Sequence, residues 1–89
     1  MNMSDLKTGM SVTTRDGRHY RVARDYKVDD GIYDLLISGS CPMILFFSDY
    51  ENDMTLRKDT RLPNPDIKDL SSFDIVTVQQ NGQILWYRS

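Results

Sequence analysis

Apolar and polar residues alternate with a period of two through much of this chain, and no stretch sustains the three-to-four spacing of an amphipathic helix. Residues 10–22, MSVTTRDGRHYRV, read as a hairpin whose loop length can be argued. A two-residue Asp16-Gly17 loop would set Val12 opposite Arg21 and mix polar with apolar positions. A three-residue Arg15-Asp16-Gly17 loop, with Gly17 left-handed, sets Val12 opposite Tyr20 and Met10 opposite Val22. That register gathers the apolar side chains on one face and sends His19, Arg21 and Ala23 to the other.

Asp29-Asp30-Gly31 marks a second turn, leading into the strand IYDLLI, which ends at Ser38-Gly39-Ser40. Pro42 then opens MILFF, too short for an independent helix and uniformly apolar, which predicts a strand buried on both faces. The polar run SDYENDM follows as a loop or one helical turn, with Ser48 or Asp49 offered as its N-cap. Residues 55–72 contain Pro63, Pro65 and many charges, predicting a long surface loop with a helical turn near PDIKDL. The chain closes on FDIVTVQQNGQILWYRS, two strands around Asn81-Gly82. A two-residue loop puts Val76, Val78, Leu85 and Tyr87 on one face and Ile75, Ile84 and Trp86 on the other. Only one face can enter a small interior, so the other needs a cover: the 55–72 loop, a second copy of the chain, or a partner.

Composition supports the β reading. Twelve of thirteen carboxylates are aspartate and Ala23 is the sole alanine, so the residues that favour helix interiors are scarce. At 89 residues the expectation is one domain, residues 1–89, mostly β, built as a small antiparallel barrel or rolled sheet of five to six short strands with a long 55–72 loop. No apolar run approaches the length of a membrane span, the N-terminus lacks the shape of a secretory signal, and Cys41 is alone; these predict a cytoplasmic protein without disulfides.

The chemistry suggested by residue type is thin. Asp49, Glu51 and Asp53 alternate like the start of a calcium-binding loop, but Met54 and Thr60 stand where that loop needs glycine and a bidentate glutamate. His19 is the only histidine and has no ligand spacing around it, and neither Cys41 nor Ser38-Gly39-Ser40 carries a nucleophile signature. No catalytic residue, metal or cofactor is expected, and the protein reads as a non-enzyme. A net charge of −2 argues against general nucleic-acid binding. Two binding surfaces remain. One joins Trp86 and Ile84 to Tyr50, Asp49, Glu51 and Asp53 for contact with a protein. The other joins Arg18, Arg21 and Arg24 to Tyr20 and Tyr33 for a nucleotide, a small signal or single-stranded nucleic acid.

The order DLKTGMSVTTRDGRHYRV, SDYENDMT, FDIVTV and ILWYR resembles a group of small phage-encoded proteins with SH3-like β-barrels. Matching positions include Asp5, Leu6, Lys7, Gly9 and Met10 at the start, Arg15, Gly17, Tyr20 and Val22 in the first hairpin, and Tyr50, Asp53 and Thr55. Asp74, Ile75, Val76, Val78, Leu85, Trp86 and Arg88 complete the set. The resemblance implies an SH3-like barrel in the host cytoplasm during infection. It also implies an accessory protein that binds and inhibits or modulates a host protein, an anti-defence or anti-CRISPR role among them. A virion structural component is the further alternative.

Overall fold

A computed structural model describes residues 1–39, 43–57 and 70–88, with Met43 and Leu70 described through their backbone alone. Among the described residues six strands form one antiparallel sheet: β1 (Ser11–Thr14), β2 (His19–Val28), β3 (Gly31–Ser38), β4 (Met43–Phe46), β5 (Ile75–Gln80) and β6 (Gln83–Tyr87). Their spatial order is β4-β3-β2-β1-β5-β6, so the sheet is open and β4 and β6 are its edges. Of the two expected forms, barrel or rolled sheet, the protein takes the open one. Three single-turn 3-10 segments, Met3–Asp5, Phe47–Asp49 and Leu70–Phe73, supplement the strands.

The first hairpin has the register its side chains require. Val12 lies opposite Tyr20, and Gly17 sits at φ +87° in a three-residue loop closed by Thr14 N–H to Arg18 O at 3.0 Å. Asp29-Asp30 links β2 to β3, with Val28 opposite Gly31. Asn81-Gly82 links β5 to β6, both residues at positive φ, as a tight turn matched to strand twist demands.

Three bulges reset which side chains face inward. In β2, Arg24 and Asp25 stand against the single Asp34, with Asp25 at φ +56°. In β5, Val76 is the extra residue between Thr77, opposite Thr13, and Ile75, opposite Thr14. In β6, Leu85 is extra, so Val78 lies opposite Trp86. An inserted residue shifts the period-two pattern by one. The facing expected for the last hairpin is therefore corrected: Ile75 and Val78 both enter the core, and Trp86 shares the face of Val78 rather than opposing it.

One core occupies the inner face. Val12, Tyr20, Val22, Leu36, Leu45, Ile75 and Val78 come from the sheet, while Met3, Leu6, Tyr50, Met54, Leu56 and Phe73 close over it from the connecting segments. Burying each such side chain contributes roughly 1.5–3 kcal/mol. The expectation for MILFF is overturned. Leu45 points inward and Phe47 packs partly against the core, while Ile44 and Phe46 are 47% and 40% exposed on the outer face of an edge strand. The 3-10 turn after β4 also lacks the expected Ser48 or Asp49 cap; Phe46 precedes it and no side chain caps it. Cys41, Pro42 and most of the 55–72 loop, including the turn expected near PDIKDL, lie outside the described residues.

Candidate functional site

The acidic run is a built turn. Its backbone closes on itself through Glu51 N–H to Thr55 O at 2.8 Å, Met54 N–H to Glu51 O at 3.0 Å and Arg57 N–H to Asp49 O at 2.8 Å. It is tied to the rest of the fold by Met3 N–H to Asn52 O and Ile75 N–H to Met54 O, each 3.0 Å. Met54 adopts φ +70°, sparsely populated for a non-glycine residue, and is fully buried. Packing of its side chain holds the backbone there.

Asp53 Oδ1 accepts from Thr55 Oγ1 at 2.6 Å and from Thr55 N–H at 3.1 Å; these bonds hold its carboxyl below the usual range. Tyr50 belongs to the core: it is 4% exposed and its hydroxyl donates to Phe73 O at 2.7 Å. Burial first, then neighbouring Tyr20 and Asp74, push its phenol far above the ordinary tyrosine value. Its expected place among contact residues is therefore corrected, because a side chain that fills the interior cannot meet a partner. Beneath the turn, Asp74 Oδ1 accepts Leu56 N–H at 2.9 Å, and Oδ2 lies 3.7 Å from Arg15.

Arg88 joins this turn to β6. Its guanidinium donates to Asp53 O at 2.8 Å and to Ile75 O at 3.2 Å, and lies 5.2 Å from the centre of the Trp86 ring. Trp86 is half-buried and packs against the core. Around it Ile84, Leu85 and Tyr87 are 58%, 43% and 69% exposed. Of the expected contact residues, the fold thus brings Trp86, Ile84 and Asp53 to one side, with exposed Glu51 in the same turn. Leu85 and Tyr87 were missing from that set. The Leu85 bulge turns apolar side chains outward, and nothing in the residue types announces it.

The arginine and tyrosine set is not gathered into one site. Tyr20 is 1% exposed and lies in the core, with its phenol raised chiefly by burial. Arg24 is spent on structure: it donates to Leu6 O at 2.7 Å, pairs with Asp34 at 3.2 Å and lies 5.1 Å from the Phe47 ring centre. Arg18 pairs with Asp16 at 3.5 Å beside the first hairpin loop. Arg21 and Tyr33 face outward from β2 and β3.

They share that face with a second apolar surface, formed by Tyr26 and Val28 of β2, Tyr33, Leu35 and Ile37 of β3, and Ile44 and Phe46 of β4. Tyr33 and Phe46 meet edge to face at 5.8 Å between ring centres. Leu35, although 2% exposed, stands outside the main core and is sheltered by this outer layer. Two hollows flank it, one of about 370 Å³ at Arg21, Tyr26 and Ile37, the other of about 210 Å³ at Asp30, Leu35 and Phe46. At the second, the charge of Asp30, then burial, holds the Tyr33 phenol above its ordinary value. The period-two count through β3 and β4 finds Tyr33, Leu35, Ile37, Ile44 and Phe46, while the β2 bulge shifts the count and hides Tyr26 and Val28.

Among the described residues no three His, Cys, Asp or Glu side chains lie together as a metal would need, and no helix is long and apolar enough to cross a membrane. Set against protein-family models, curated proteins and solved structures, the chain matches none.

Proposed function

We propose that this chain is a non-enzymatic recognition protein that docks β6 and the adjoining acidic turn onto a host protein and inhibits or modulates it. The observation that carries this reading is Trp86 held between core and Arg88 with three exposed apolar neighbours, Ile84, Leu85 and Tyr87. A rigid aromatic ringed by apolar groups is the usual make-up of an interface hot spot, since little side-chain freedom is lost on binding. The Leu85 bulge disfavours simple strand addition at this edge, which leaves side-chain recognition as its mode. Exposed Glu51 and Asp53 beside it suit a partner with basic groups around an apolar pocket. The host and phage setting, and an anti-defence role within it, rest on the resemblance in sequence motifs.

Affinity capture from bacterial host lysate tests the proposal with Ile84→Asp, Tyr87→Ala and Glu51→Lys. These positions are exposed, so the fold should survive each change. A specific partner should be retained by the native chain, lost with Ile84→Asp and Tyr87→Ala, and bound more slowly by Glu51→Lys at low salt. Equal capture by all variants would remove β6 as the docking surface.

A further inference from the structure

The outer face of β2, β3 and β4 takes no part in the proposed host contact, and its charges say what covers it. Six side chains make its apolar centre: Tyr26, Val28, Tyr33, Leu35, Ile44 and Phe46. None of these six is charged. The ends differ in sign: Arg21 lines the hollow at one end, and Asp30 lines the hollow at the other. Strand rise over the intervening residues separates them by about 25 Å.

We propose that this face is the interface of a homodimer, in which two copies pack their β2–β3–β4 outer faces together across a two-fold axis. An axis lying in the face and crossing its strands reverses one copy against the other. Each Arg21 then meets the Asp30 end of the other copy, twice over by symmetry, while apolar centre meets apolar centre. A two-fold interface must be complementary to itself. An uncharged centre with opposite charges at its two ends satisfies that condition in the reversed orientation alone, since the unreversed one sets Arg21 on Arg21 and Asp30 on Asp30. Stacked sheets pack in this way with interdigitating side chains, and the two hollows leave room for the partner's Ile44 and Phe46 to enter.

Sedimentation velocity on the full chain across a dilution series tests the interface. The expected species is a dimer of twice 10.3 kDa that dissociates on dilution. Ile44→Lys and Phe46→Lys should each weaken it by about tenfold or more while the circular dichroism remains that of a folded chain, whereas Ile84→Lys should leave it intact. Arg21→Glu should weaken the dimer, and Arg21→Glu combined with Asp30→Arg should restore it. A chain that stays monomeric at every concentration overturns the proposal, including the case in which Phe46 instead binds a different protein. A dimer that survives Phe46→Lys but fails with Ile84→Lys also overturns it, and failure of the double charge swap to rescue overturns the reversed orientation.

Discussion

The two edges of the sheet are both apolar, but they are finished differently. β4 runs in unbroken register against β3, from Leu35 opposite Phe46 to Ser38 opposite Met43, and carries no charge. β6 is interrupted by the Leu85 bulge, held by Arg88 and bordered by the acidic turn. Exposed edge strands invite other chains to pair with them, and bulges and nearby charge are the usual defences. β6 has both. Its apolar groups are presented by side chain and not by backbone, which suits recognition of a different molecule. β4 has no bulge against β3, and the face it borders is neutral at its centre. Two surfaces of similar hydrophobicity therefore fit different occupants, and the bulge and the charges make the difference.

Support for the two edges also differs, and mutations should expose this. The largest effect is expected from Met54→Ala, which empties a fully buried position under the turn that ties to β5; a loss of about 2–5 kcal/mol in urea unfolding is the expected outcome. Asp74→Ala leaves the buried Leu56 N–H without its acceptor and should cost about 1–3 kcal/mol. In native-state hydrogen exchange both changes should reduce protection in β5 and β6 before β3 and β4. Uniform loss across the sheet would mean the edges are not separately supported.

Alkaline pH acts on the same side. Folding favours the protonated Tyr50 phenol, so its contribution is whole below the ordinary tyrosine value of 10.0 and is lost above it, as the unfolded chain ionises. Stability should fall by up to about 1.4 kcal/mol per pH unit there, and Tyr50→Phe should flatten part of the slope, with Tyr20 supplying a remainder. An unchanged slope in Tyr50→Phe would show that its phenol is not the buried group. The smallest effects belong to the exposed positions. Ile44→Lys and Ile84→Lys should each change monomer stability by no more than about 0.5 kcal/mol, which separates binding effects from folding effects at both edges.

How much of this was legible in the sequence follows the same division. The first hairpin could be read to its register because Val12, Tyr20, Met10 and Val22 agree on one loop length alone. Asn81-Gly82 fixed the last turn for the same reason, since both residues tolerate positive φ. The bulges at Val76 and Leu85 left no such mark. Each adds one ordinary apolar residue to a strand, and only three-dimensional pairing shows which is surplus. The stretch PMILFFSDYENDM misleads in both halves. Its apolar half forms an exposed edge because a single core has room for Leu45 and not for Ile44 or Phe46. Its acidic half is interior at Tyr50 and Met54 because the turn aims those two side chains inward while its carboxylates stay at the surface. Arg24, offered by residue type as a ligand contact beside Arg18 and Arg21, is set by a bulge against Leu6 O and Asp34.

Quantitative capture of a host partner, comparing Tyr87→Ala with Phe46→Lys in parallel, tests most directly whether the β6 side is the recognition surface. The partner should be lost with Tyr87→Ala and retained with Phe46→Lys, both proteins remaining folded. Retention by Tyr87→Ala together with loss by Phe46→Lys would place recognition on the opposite edge and contradict the account.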